Sequence, residues 1–84
     1  MPRSDKESDL KVLENVGVLE IIRTTNGSCN ISSTKVGKRY QVVYDALCRL
    51  GGRGNVTKNN GTIHVDKKGI EGVYSAARFV DYPI

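Results

Sequence analysis

Apolar side chains recur at three- and four-residue spacing at Leu10, Leu13 and Val16, and Val12, Val16, Leu19 and Ile22 carry the stripe onward. That period predicts an amphipathic helix reaching about Thr24. Ser4-Asp5-Lys6-Glu7 ahead of it has the form of a capping box, in which a hydroxyl and a carboxylate satisfy the free amides of a helix start. Gly17 inside the stripe weakens the helix by about 1 kcal/mol. Asn26-Gly27 then has two meanings, a left-handed helix end or the turn of a two-residue hairpin. After Ser32, Ser33 and Thr34, which suit a helix N-cap, Val36, Tyr40, Val43, Leu47 and Leu50 fall in steps of four and three. Gly51, Gly52 and Gly54 stop that helical run by supplying positive-φ positions. Two short β-prone runs, residues 55–58 and 62–65, flank Asn59-Asn60-Gly61 and predict a hairpin. Asp66 caps a last helix from Lys67, with Ile70, Val73, Ala77 and Val80 on one face, and Pro83 keeps residues 81–84 out of it.

Two α+β architectures fit this order. In the first, an N-terminal helix, a helical segment at 33–50, a hairpin and a C-terminal helix pack together. In the second, both Asn-Gly pairs are hairpin turns, which aligns Ile22 with Val56, Ile31 with Val65, Val36 with Ile70 and Tyr40 with Tyr74. That is a duplicated hairpin-helix unit with a four-stranded antiparallel sheet.

At 84 residues with 38% hydrophobic content and no Trp, the chain makes one small domain, 1–84, with flexible tails expected at 1–7 and 81–84. It has too little core for a deep, dry reaction chamber. No carboxylate pair in an apolar setting, phosphate loop or nucleophile motif stands in it, so it reads as a non-enzyme. His64 is the single imidazole, and Cys29 and Cys48 lack a His pair, so no metal and no cofactor is expected. Both thiols read as small buried hydrophobes. With no apolar run of membrane length and a charged N-terminus, the expectation is a soluble, cytoplasmic protein with no membrane partner.

The net charge of +4 is unevenly spread. Residues 35–58 hold six basic side chains (Lys35, Lys38, Arg39, Arg49, Arg53, Lys58) against Asp45 alone, net +5, whereas residues 1–34 are net −1. A concentrated positive segment is the footprint of a nucleic-acid binder.

The stretch from Tyr44 to Val56, YDALCRLGGRGNV, resembles the recognition-helix end and wing entry of winged helix-turn-helix transcription regulators. Residues 60–71, NGTIHVDKKGIE, resemble the wing tip, second wing strand and following helix start of the multiple-antibiotic-resistance-regulator-like members. Upstream, LEIIR at 19–23 and SSTKVGK at 32–38 resemble the first helix and the opening of the second. Residues 33–50 are shorter than the family's helix, turn and helix, and they fit one continuous helix equally well.

The resemblance implies a sequence-specific duplex-DNA-binding protein regulating transcription. A helix from about Tyr40 to Leu50 would enter the major groove with Gln41 and Tyr44 at base edges. Lys35, Lys38, Arg39 and Arg53 would neutralise phosphates, and Lys58, Asn59 and Asn60 would form a wing on the adjacent backbone or minor groove. Apolar residues of 10–19 and 73–80, with Tyr82 and Ile84, exceed the needs of one thin core and suggest a homodimer through the terminal helices. Two other functions stay open. One is a protein-binding module or inhibitor docking an acidic partner. The other is an RNA-binding sheet, which would want aromatics that the proposed strands lack.

Overall fold

The computed structural model describes residues 4–84 as helix α1 (Ser4–Asn15), α2 (Val18–Thr24), strand β1 (Cys29–Ser32), α3 (Ser33–Val36), a 3-10 turn (Gly37–Arg39), α4 (Tyr40–Gly51), a second 3-10 turn (Arg53–Asn55), β2 (Val56–Asn59), β3 (Thr62–Val65) and α5 (Lys67–Phe79). The expected tail at 1–3 and the hydroxyl of the Ser4 capping box lie outside the described residues.

Two glycines decide where the helical stripes break. The continuous helix expected from Leu10 to Thr24 is instead two, because Gly17 takes φ 81, a left-handed conformation that turns the chain. The turn lets Leu10 and Leu13 of α1 and Val18, Leu19 and Ile22 of α2 all reach one core. Likewise the apolar stripe over 33–50 is not one helix. Gly37 at φ 57 ends α3 after a single turn, and the 3-10 residues re-aim the chain into α4. Ser32 caps α3 by accepting from the Thr34 amide at 3.1 Å.

The sheet is three-stranded and antiparallel, in the order β1-β3-β2. β2 and β3 are joined at Asn60-Gly61, both at positive φ (52 and 75), the two-residue turn whose twist suits a hairpin. The four-stranded duplicated unit is not formed. Asn26-Gly27 follows helix α2 rather than a strand, so Ile22 is helical where Val56 is extended. Burial of Val18, Leu19 and Ile22 at helical spacing overrides the hairpin meaning of that Asn-Gly pair.

Register places Cys29, Val65 and Val56 in one row and Ile31, Ile63 and Lys58 in the next, on the face that packs against the helices. The other face carries Asn30, His64 and Thr57, with His64 Nδ1 2.9 Å from Asn30 Oδ1. Val43, Ala46 and Leu47 of α4 and Val73 and Ala77 of α5 complete the core. The terminal-helix residues read as surplus are therefore largely used inside the domain. Exposed among the large apolar side chains are Val42 and Phe79.

Helices α4 and α5 approach unusually closely through glycines. A Cβ on Gly51 would lie 2.7 Å from the Gly69 carbonyl oxygen, and one on Gly72 would lie 2.9 Å from the Gly51 Cα. Gly51 is thus the last, buried residue of α4, needed for contact rather than for positive φ, and among 51, 52 and 54 only Gly52 has positive φ. Asp66 caps α5 through the Gly69 amide at 2.9 Å, as its position predicts.

Residues 4–7, expected as part of a tail, form the first turn of α1. Residues 81–84 lie against the N-terminal helices. The Tyr82 amide donates to the Ala77 carbonyl, its phenol meets the Glu14 carboxylate, and Arg23 donates to the Pro83 carbonyl at 3.1 Å. On the other side of α1, Arg49 makes a bidentate ion pair with the buried Asp9, both contacts at 2.9 Å.

Candidate nucleic-acid interface

Helix α4 buries Val43, Ala46, Leu47 and Leu50 and turns Gln41, Val42, Asp45 and Arg49 outward, as a 3.6-residue period requires. The first turn of α4 has no acidic residue, and Lys38 and Arg39 immediately precede it, both exposed. Positive side chains and the positive end of the helix dipole thus coincide. Arg53, in the 3-10 turn after α4, is also exposed.

The hairpin and the outer face of α4 are chemically joined. Because Lys58 shares the strand face of Val56, it points toward α4 rather than out from a wing tip. Its ammonium donates to Gln41 Oε1 at 2.9 Å and sits 4.5 Å from the centroid of the Tyr44 ring. Gln41 Nε2 in turn donates to Asp45 Oδ1 at 3.0 Å. Lys58, Gln41 and Asp45 form one chain of hydrogen bonds across the surface.

Tyr44 is half-buried rather than exposed, its side chain packed against the core and its ring beneath the Lys58 ammonium of β2. Its phenol is held above its ordinary range chiefly by a hydrogen bond with the Cys48 side chain, and the Arg53 charge pulls the other way. Gln41, exposed where Tyr44 is half-buried, is the more accessible of the two expected base readers.

Of the expected phosphate ligands, Lys38, Arg39 and Arg53 bracket α4. Lys35 is exposed but folds back over Gly17, its ammonium 3.0 Å from where a Cβ on that glycine would lie. Asn59 and Asn60 stand exposed at the hairpin end. Arg49, counted in the basic segment, is committed to Asp9, whose hydrogen bond raises the guanidinium pKa further. Lys35, Lys38, Arg39, Arg53 and Lys58 have no ion-pair partner among the described residues.

Val42 was missed by the stripe. It is 44% exposed in the middle of the outer face, beside Gln41. Its signal in the sequence is an aliphatic side chain out of phase with Val36, Tyr40, Val43, Leu47 and Leu50.

No group of three metal-ligating side chains occurs among the described residues, and no helix there is long and apolar enough to cross a membrane. Cys29 and Cys48 are free and buried, and burial pushes the Cys29 thiol up. No protein family, curated protein or solved structure matches this chain.

Proposed function

We propose that the chain is a winged helix-turn-helix protein that binds duplex DNA sequence-specifically and acts in transcription regulation. Helix α4 lies in the major groove and the β2–β3 hairpin serves as the wing. The order β1, α3, turn, α4, hairpin, with β3 central in the sheet, is the arrangement such a domain needs. The observation that carries the reading is electrostatic. Exposed Lys38, Arg39 and Arg53, with no ion-pair partner among the described residues, bracket α4, whose Gln41 and Val42 are exposed, and Lys58 ties the hairpin to that helix. Phosphate neutralisation by these groups positions α4, and Gln41 and Val42 then meet base edges, the amide suiting adenine and the isopropyl group a thymine methyl. Asp45 on the same face suits a cytosine amino group. The outward sheet face, lined by Asn30, Thr57 and His64, holds no aromatic platform for single-stranded RNA.

The test is an anisotropy titration on random duplex DNA at several salt concentrations. Neutralisation of about 4 to 5 phosphates gives a log-log slope of roughly −4 per subunit. Absence of binding at low salt would favour docking on an acidic protein partner instead.

A further inference from the structure

Gln41 is exposed in the first turn of α4, and both polar atoms of its amide are engaged by charged neighbours. Lys58 Nζ donates to its Oε1 at 2.9 Å, and its Nε2 donates to Asp45 Oδ1 at 3.0 Å. An ammonium can only donate and a carboxylate only accept, so these two partners tell the ends of the amide apart. Turning the amide over would set Nε2 against the ammonium and Oε1 against the carboxylate, and both bonds would be lost. Asp45 lies one helical turn further along α4, so the helix itself supplies it. Lys58 is supplied by the hairpin. The register that turns Val56 inward carries Lys58 to the same strand face, and its ammonium stands 4.5 Å from the centroid of the Tyr44 ring of α4.

We propose that Lys58 is a specificity-determining positioning residue, which fixes the direction of the Gln41 amide and so makes α4 distinguish A·T from T·A at one base pair. That role rests on α4 reading duplex DNA, as proposed above. Oε1 has two lone pairs and Nε2 two hydrogens, and each internal bond uses one of them, so one acceptor and one donor stay available to a base. Adenine offers N7 as an acceptor and its N6 amino group as a donor, the complement of that pair. Across the major groove, A·T and T·A present this acceptor and donor in opposite order. An amide held one way matches one of them, whereas an amide free to turn over matches either. Lys58 thereby differs from Lys38, Arg39 and Arg53. Its ammonium is directed to the side chain that reads the base, where theirs have no ion-pair partner among the described residues and face phosphate.

The test compares the wild type, Lys58→Met and Lys58→Arg on a duplex site that the wild type selects from a randomised library, with each base pair then substituted in turn. Met keeps an unbranched stem over the Tyr44 ring without a donor, and Arg keeps the donor. Lys58 is exposed, so both variants should fold, which unchanged far-ultraviolet dichroism checks. At the pair where Gln41→Ala loses its preference, the wild type should favour A·T over T·A by roughly 5- to 150-fold, the range of one good bidentate contact. Lys58→Met should lower that ratio below about threefold, with the other positions unchanged, and Lys58→Arg should restore it. The salt slope of Lys58→Met should stay within about 0.5 of the wild type. A lysine that only binds phosphate would instead weaken every site alike and flatten the slope by about 1. That result overturns the proposal, as does a Lys58→Met protein that keeps the full A·T preference or a Gln41-sensitive pair that is not A·T. A wild type that binds no duplex at any salt concentration overturns the DNA-binding reading itself, and this role with it.

Discussion

Lys58 of the hairpin and Gln41 of α4, seventeen positions apart, are joined by a hydrogen bond of 2.9 Å. Through it the hairpin does not hang free of the helix but shares one polar network with it, extended to Asp45 and backed by the Tyr44 ring. A hairpin anchored in this way presents Asn59 and Asn60 at a fixed distance from the α4 face, a preorganisation that reduces the ordering cost of binding.

Replacing Lys58 with Ala should lower stability by about 0.5 to 1 kcal/mol, because a cation over an aromatic ring and an exposed hydrogen bond are both lost. In a double-mutant cycle read by urea denaturation, Lys58→Ala and Gln41→Ala should couple by roughly 0.5 kcal/mol. Strict additivity would show that the pair does not persist in solution. Asn59→Ala, which breaks no packing, should stay within about 0.5 kcal/mol of wild type.

Phosphate and base contacts separate by their salt and sequence dependence. Lys38→Ala and Arg39→Ala should each weaken binding to every duplex alike and flatten the salt slope by about 1. Gln41→Ala and Val42→Ala should lower the preference for a selected site by about 1 to 3 kcal/mol and leave non-specific binding nearly unchanged. For Val42 the finer probe is deoxyuridine for thymidine in the selected site, which removes only a methyl group. If both variants keep full discrimination, α4 is not the reading helix.

The glycine contact between α4 and α5 gives a stability test independent of function. Gly51→Ala and Gly72→Ala place a methyl group within 3 Å of backbone atoms that cannot move aside separately. Each should destabilise by about 1 to 2 kcal/mol, since overpacking outweighs the better helix propensity of Ala. Gly54→Ala has no heavy atom within 4 Å of its new methyl and should be neutral or slightly stabilising in thermal melts.

Tyr82 supplies a pH dependence. Its hydrogen bond to Glu14, followed by burial, pushes the phenol up to about 12 from 10.0. The native state therefore holds the proton more tightly than the unfolded chain. The stabilisation is complete below pH 10 and is lost as pH rises toward 12. Tyrosinate absorbance should show a late-titrating phenol that disappears in Tyr82→Phe, and that variant should lose less stability between these pH values than the wild type. A full complement of tyrosines titrating before the late step would rule out the Glu14 contact.

The sequence by itself determined the elements whose signals are local. The Asn60-Gly61 hairpin, the Asp66 cap and the α5 stripe were legible because turn chemistry, capping and period act over a few residues and need no distant partner. So was the basic segment, since charge is counted without a fold. At Asn26-Gly27 and over 33–50 local signals were degenerate. The same dipeptide suits a helix end or a hairpin, and the same stripe suits one helix or two. Only tertiary burial chose between them, by bringing Ile22, Ile31, Val43 and Leu47 into one core across the left-handed turns at Gly17 and Gly37. The site divides on the same principle. Exposure of Lys38, Arg39 and Gln41 followed from the helical period. The Lys58 contact with Gln41, the withdrawal of Tyr44 and the capture of Arg49 by Asp9 join residues up to forty positions apart, and such pairings exist only once strand register and helix packing have set which faces meet.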